Sequence, residues 1–404
     1  MKKKGRFLLT GIIMIVSVTL VSSWSLAGEV AGVTENTIKV GGIWDHTGPV
    51  ATIIAPIIEG IKNYGRYVND QGGINGRQIK LIIEDDRYSI PMAVAAFKKL
   101  VYRDKVFALL GPGSTGETRV LMRHIMSQKL PCFPLAADRD MVDPYKKYIF
   151  LAIDTYDHQT GVLFDWIVQD SKPKKPKVAC MVLDIGAKVP FLRAVNKWSK
   201  HFGLDPQIVM TTLGAVDFTP EILTLKRKKP YPDYVITFLT IPGIVGFIRD
   251  SKKLGFHPKV LATYSGTSED VVNSAKKAAD KFYGVHFYSS WYDDTPGMAE
   301  LRKITLQYHP GTEKPYRGKN YCIGWVKSKL LYEGIKRAGR GLDNEKLMDA
   351  LETLRNFDTK GICGPITYTS KDHAGIKYDR IYKGDPATGK LIPITDWRKA
   401  PDIK

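Results

Sequence analysis

Residues 38–73 read IKVGGIWDHTGPVATIIAPIIEGIKNYGRYVNDQGG. Ile38 to Trp44 is a short apolar run suited to a buried strand. Ile54, Ile57, Ile61, Tyr64 and Val68 then recur every three or four residues, which puts them on one face of a helix, and Gly72-Gly73 ends it. Strand followed by amphipathic helix is one βα unit, and the pattern repeats downstream. Gln78–Glu84 reads as a strand, Ile90–Arg103 as a helix, Val106–Leu110 as a strand, Thr115–Ser127 as a helix and Pro131–Leu135 as a strand. After Tyr148–Ile153 the alternation restarts with a helix near His158–Gln169, strand Lys177–Leu183, helix Val189–Phe202, strand Asp233–Leu239 and helix Ile241–Leu254. Strand Lys259–Thr263, a helix near Ser268–Ala279 and strand Tyr283–Tyr288 follow. Helices Asn320–Ala338 and Asn344–Arg355 precede short strands at Gly364–Thr369 and Lys377–Tyr382. Such alternation predicts an α/β protein with mainly parallel sheets flanked by helices, the second series building a sheet of its own.

The N-terminus reads as an export signal. Lys2, Lys3, Lys4 and Arg6 precede an apolar run from Phe7 to Val21, which exits through the small residues Ser25-Leu26-Ala27. A signal peptide over residues 1–27 is expected, with the processed chain starting near Gly28 in the periplasm. The run is a poor membrane anchor, since a span needs about 20 continuous apolar residues. No comparably long apolar run follows, so the processed chain is not expected to span a membrane. The rest of the 404 residues exceeds what one hydrophobic core usually serves, roughly 250 to 300 residues, so two lobes are expected.

The formal net charge is +19, and +15 on residues 28–404. The basic residues are mostly dispersed apart from groups such as Lys172–Lys177 and Lys226–Lys229, and export argues against a nucleic-acid partner. Lys172-Pro173-Lys174-Lys175-Pro176 is too polar for core and reads as a surface turn. Four cysteines, Cys132, Cys180, Cys322 and Cys363, are too few and too widely spaced for a disulfide scaffold or a zinc site with close ligand pairs, so no metal is expected. Hydrolase elbow, metalloprotease, phosphate-loop and dinucleotide motifs are all missing, which favours a binding protein without cofactor or catalytic residues over an enzyme. Adjacent Asp45 and His46 rarely face one another in a loop, and Glu84-Asp85-Asp86 reads as a strand end or helix-start caps. Gly111-Pro112-Gly113-Ser114-Thr115-Gly116 carries more. It follows an apolar strand and opens a helix, so its hydroxyls and free N–H groups form an anion site, a helix cap, or both.

The order of motifs resembles the leucine/isoleucine/valine-binding protein family, the type I periplasmic receptors of ABC transporters. The resemblance runs through Ile38-Lys39-Val40-Gly41 with Thr47-Gly48-Pro49, then Asn69-Asp70-Gln71-Gly72-Gly73-Ile74-Asn75-Gly76 and Glu84-Asp85-Asp86. It continues through Leu109 to Thr115, Pro134-Leu135-Ala136-Ala137, and Phe357-Asp358-Thr359 leading to Gly364-Pro365-Ile366-Thr367-Tyr368. It implies two α/β lobes, residues 28–151 plus 289–364 and residues 152–288 plus 365–404, crossing near Leu151, Tyr288 and Gly364 around a ligand cleft. It implies a monomer that takes a small carboxylate ligand, an amino acid or an aromatic or dicarboxylic acid, to the permease subunits of a transporter. A sensor acting through a separate membrane protein, and a secreted enzyme, are the alternatives. By resemblance Ser114 and Thr115, with the backbone of Ala136, grip the carboxylate from the first lobe. Elsewhere the pattern departs. The family's threonine after the paired alanines aligns with Asp138, an aromatic with Thr240, and the ammonium-binding acid lies near Tyr264. The loop after Asp184, where the family has another tyrosine, reads Ile185-Gly186-Ala187-Lys188. Asp138 could instead hold an ammonium, Lys188 a second carboxylate, and Tyr264 could donate to a neutral or aromatic acid, with Trp44 and Trp291-Tyr292 as aromatic walls.

Overall fold

A computed structural model describes residues 30–227, 229–309 and 316–403. The expected signal peptide, residues 1–27, lies outside them. In chain order the elements are β1 Thr37–Trp44, α1 Ala51–Asp70, β2 Gln78–Asp85, α2 Ile90–Lys98, β3 Ala108–Leu110, α3 Thr115–Ser127 and β4 Cys132–Phe133. Then come α4 Tyr156–Asp170, β5 Val178–Leu183, α5 Lys188–His201, β6 Gln207–Thr211, α6 Thr219–Leu225, β7 Tyr234–Phe238 and α7 Ile241–Lys253. They are followed by β8 Lys259–Ala262, α8 Glu269–Ala275, β9 Phe282–His286, α9 Pro296–Tyr308, α10 Lys319–Ala338, α11 Asn344–Glu352, β10 Arg380–Asp385 and β11 Lys390–Pro393.

There are two sheets. The first has four parallel strands in the order β2-β1-β3-β4, and the second seven in the order β11-β10-β9-β8-β7-β5-β6, in which β10 alone is reversed and pairs antiparallel with both β9 and β11. Strands β5 and β7 are buried along their whole length because helices cover both faces, which is why they read as unbroken apolar runs. Helix α1 buries Ile53, Ile54, Ile57, Ile58 and Ile61. It packs on α10 at backbone distance, because a side chain on Gly60 would begin 2.3 Å from the Tyr321 carbonyl oxygen and one on Gly324 only 1.9 Å from that of Ile57.

Some expectations are corrected. The helix expected over Ile90–Arg103 is α-helical only to Lys98 and continues as a π turn over Lys99–Arg103. No strand forms at Gly364–Thr369, where only isolated bridges such as Phe357 with Ile366 occur, and the strand expected at Lys377–Tyr382 runs from Arg380 to Asp385. Elements β6, α6, α9 and β11 were not anticipated. All four cysteines are buried free thiols. The Leu151 N–H donates to the His373 carbonyl at 2.9 Å, and the Ser289 N–H to that of Ile362 at 2.7 Å, so these distant segments lie side by side.

Candidate ligand cleft

Because β3, β5, β7 and β8 run parallel within their sheets, the loops after their carboxyl ends gather on one side of each sheet. The two gatherings face each other across a space of about 540 Å³, including what opens to solvent. From the first sheet come Val50, Ile53 and Ile54 at the start of α1, Tyr88 after β2, Gly113, Ser114 and Thr115 at the start of α3, and Leu135 after β4. From the second come Tyr156, Leu183, Ile185 and Ala187, then Phe238, Leu239 and Thr240 after β7, and Tyr264 and Ser265 after β8. The lining contains no Asp, Glu, Lys or Arg.

Polar groups concentrate at the α3 end. Ser114 is the N-cap, its hydroxyl accepting from the Glu117 N–H at 3.2 Å. That hydroxyl also hydrogen-bonds with the Glu117 carboxyl, favouring its ionised form, and the first N–H groups of any helix lack intrahelical acceptors and carry the positive end of the dipole. This combination receives an anion. On the facing side Thr240 caps α7, accepting from the Gly243 N–H at 3.4 Å. Burial pushes the Tyr264 phenol up to about 12 and that of Tyr156 well above its usual range, so both stay neutral, and Tyr156 donates to Tyr264, leaving the Tyr264 hydroxyl to donate onward. Tyr156 and Phe238 meet edge to face with centroids 5.3 Å apart, giving the floor an aromatic character.

Tyr88 owes its place to strain. Arg87 and Tyr88 have φ of 51° and 59°, a conformation uncommon for side-chain-bearing residues. Asp85 and Asp86 hold it, accepting from the Arg87 and Tyr88 N–H groups at 3.2 and 2.8 Å. Beneath this loop lies a buried carboxyl pair. Desolvation pushes Glu117 up to about 8 and Asp86 up to about 6; repulsion from Asp86 adds to the rise at Glu117, whereas Asp86 is raised by Asp45 and Asp85 and drawn back by its hydrogen bond with Glu117.

The expected site residues separate into two sets. Ser114, Thr115, Thr240 and Tyr264 line the cleft together. Ala136, Asp138, Lys188 and Trp44 do not. Ala136 is buried in the core of the first sheet with Ile43 and Leu109. Asp138 is buried with Arg119 Nη2 at 2.5 Å and Arg193 Nη2 at 2.8 Å, so its charge is already matched. Since Arg193 lies on α5 and also grips Asp140 at 2.8 Å, this network ties the edge of the second sheet's layer to the first. The ammonium of Lys188 pairs with Asp184. Trp44 is fully buried under the loop of Gly111 and Gly113, its ring 4.9 Å from Lys327 Nζ, so it supports the cleft floor from behind. Tyr88, Tyr156, Ile53 and Leu239 are among the cleft residues that the sequence alone did not single out.

The model of a family described as periplasmic binding protein matches residues 37–390. The chain belongs to the periplasmic binding protein family. Among its relatives is a Leu/Ile/Val-binding protein homolog 7 of Brucella melitensis, 20% identical over 396 residues, covering 92% of this chain and 94% of that one. An amino acid binding protein of Pseudomonas aeruginosa is 33% identical over 143 residues, which is 35% of this chain and 38% of its own. Similar solved structures include a fatty acid ABC transporter substrate-binding protein from Thermomonospora curvata, with TM-score 0.83, 21% identity, and 92% and 95% of the two chains covered. A branched-chain amino acid ABC transporter protein from Thermus thermophilus with bound valine gives TM-score 0.82, 22% identity, and 91% and 97% covered. The two-sheet architecture matches these type I folds, and the periplasmic binding family makes the chain a ligand receptor.

Proposed function

We propose that this chain is an exported, monomeric receptor that binds a monocarboxylic acid with an uncharged apolar or aromatic body and delivers it to the permease subunits of an ABC transporter in the periplasm's inner boundary. The lobes are residues 28–151 plus 289–364 and residues 152–288 plus 365–404. The observation that carries the ligand class is the lining: hydroxyls and a helix N-terminus at one end, aliphatic and aromatic side chains elsewhere, and no ionisable acid or base other than phenols. A buried ammonium without a counter-charge is costly, which disfavours α-amino acids, and a second carboxylate would meet no cation because Lys188 is held by Asp184. The carboxylate lies at Ser114, Thr115 and the α3 N-terminus, and the apolar body against Ile53, Leu239, Phe238 and Tyr156.

A thermal-shift screen tests the class. A ligand at 100 times its dissociation constant stabilises the protein by about 2.7 kcal/mol. Benzoate-type and medium-chain aliphatic monocarboxylates are expected to do so, while succinate, leucine and valine give little. Stabilisation by leucine or valine with none from the simple acids would reverse the assignment. With the ligand in hand, Ser114→Ala is expected to weaken binding by about 2 kcal/mol through loss of a hydrogen bond to a charged group, leaving the fold intact. Unchanged affinity in isothermal titration would leave Ser114 as a helix cap only.

A further inference from the structure

The pole of the second sheet opposite the cleft is strongly basic. Strands β5, β7, β8 and β9 are parallel, so the loops that lead into them lie together at their amino ends, while the cleft residues follow their carboxyl ends. Those loops are residues 170–177, 226–233, 250–259 and 276–281. Leaving Lys228 aside, they hold thirteen lysines and arginines against four aspartates, a net nine of the chain's nineteen formal positive charges. They form one surface: Asp233 N–H donates to the Lys177 carbonyl at 2.8 Å, Lys226 Nζ reaches the Leu254 carbonyl at 2.5 Å, and Lys281 Nζ reaches that of His257 at 3.2 Å. Lysines near helix carboxyl ends offset the dipole, but that accounts for a few charges rather than thirteen. Lys172, Lys174, Lys175 and Lys177 are exposed and have no acidic partner among the described residues.

We propose that this pole is an electrostatic docking surface for an anionic phospholipid bilayer, holding the receptor at the membrane by a face that leaves its cleft free. Three features choose lipid headgroups over a protein or a nucleic acid. Twelve of the thirteen cations are lysines, point charges suited to a diffuse anionic surface, whereas Arg227 alone offers the planar fork that bidentate recognition uses. None of the molecule's exposed large apolar side chains lies in the four loops, so the anchors that dominate protein interfaces are missing there. No described helix is long and apolar enough to cross a membrane, so attachment through these residues has to be peripheral.

Co-sedimentation of the exported, processed chain with vesicles of phosphatidylcholine alone and with about one-third phosphatidylglycerol tests this directly. Binding is expected only to the anionic vesicles and is expected to vanish in half-molar salt, because exposed charges are screened. Reversal of Lys172, Lys174, Lys175 and Lys177 to Glu should weaken vesicle binding about a hundredfold while ligand affinity stays unchanged. The same reversal of exposed Lys62, Lys80, Lys98 and Arg103 should have little effect. Equal losses in both variants, no binding to anionic vesicles, or tighter binding to polyglutamate or to a DNA duplex of matched charge would each overturn the proposal. Because ligand affinity is read separately, failure here is distinguishable from failure of the monocarboxylate reading.

Discussion

Gly324→Ala is expected to cost the fold about 3 kcal/mol, the full range seen for overpacking, although it adds a single methyl group. The new carbon would start 1.9 Å from the Ile57 carbonyl oxygen and 2.9 Å from the Ile61 nitrogen. Both neighbours are backbone of α1, so no side chain can swing aside and the two helices must separate. Gly60 meets α10 in the same way from the other side, 2.3 Å from the Tyr321 carbonyl oxygen. Urea denaturation should show a lower midpoint with an unchanged slope for each variant, and the double variant should lose less than the sum because the first substitution already opens the shared seam. The first turns of α1 carry Val50, Ile53 and Ile54 into the cleft, so ligand affinity should fall alongside stability. A loss below about 1 kcal/mol would mean that the helices slide apart freely and that the close approach is not a constraint.

The layered architecture is legible in the sequence for the reason that makes it stable. Strands buried on both faces, such as VACMVL at β5, cannot be polar anywhere, and a helix covering them must carry a stripe like Ile54, Ile57 and Ile61. Strand β6 escapes that logic because it sits at a sheet edge, where Ile208 and Met210 face solvent and only Val209 and Thr211 are buried. Helix α9 is different: its stripe of Met298, Leu301, Ile304 and Thr305, and its Thr295-Pro296 start, are present in the residues and could have been found.

For the cleft, what depends on neighbours in sequence is legible and what depends on distant partners is not. Ser114 and Thr115 belong to a strand-loop-helix junction whose chemistry is local. Asp138 reads as an available carboxylate until α3 and α5 bring Arg119 and Arg193 to it from 19 and 55 residues away. Tyr88 is placed by two consecutive left-handed residues that no propensity favours, and Ile53 and Leu239 look like ordinary core residues until two separate sheets bring them face to face.

Glu117 offers a large pH effect close to the cleft. It is buried in the first turn of α3 beside Asp86, and desolvation pushes its carboxyl up to about 8 from an unfolded value near 4.5. An acid raised in the folded state stabilises fully below its unfolded value, and that contribution is lost as pH rises through the folded one. At about 1.4 kcal/mol per unit, the loss between pH 5 and pH 8 is on the order of 4 kcal/mol. Ligand binding should follow the same direction, because ionised Glu117 would set a negative charge next to the helix start proposed to hold the ligand carboxylate. Glu117→Gln removes the titration while keeping the side chain's size, so it should be more stable than the parent at pH 8, nearly equal to it at pH 4, and flat in ligand affinity above about pH 6, where the ligand carboxyl is itself ionised. Chemical denaturation and titration calorimetry at several pH values measure both. If the glutamine variant keeps the parent's pH slope in stability, another group carries it and Glu117 is ionised in the fold. If stability flattens but affinity still falls with pH, the carboxylate end of the ligand does not lie at α3.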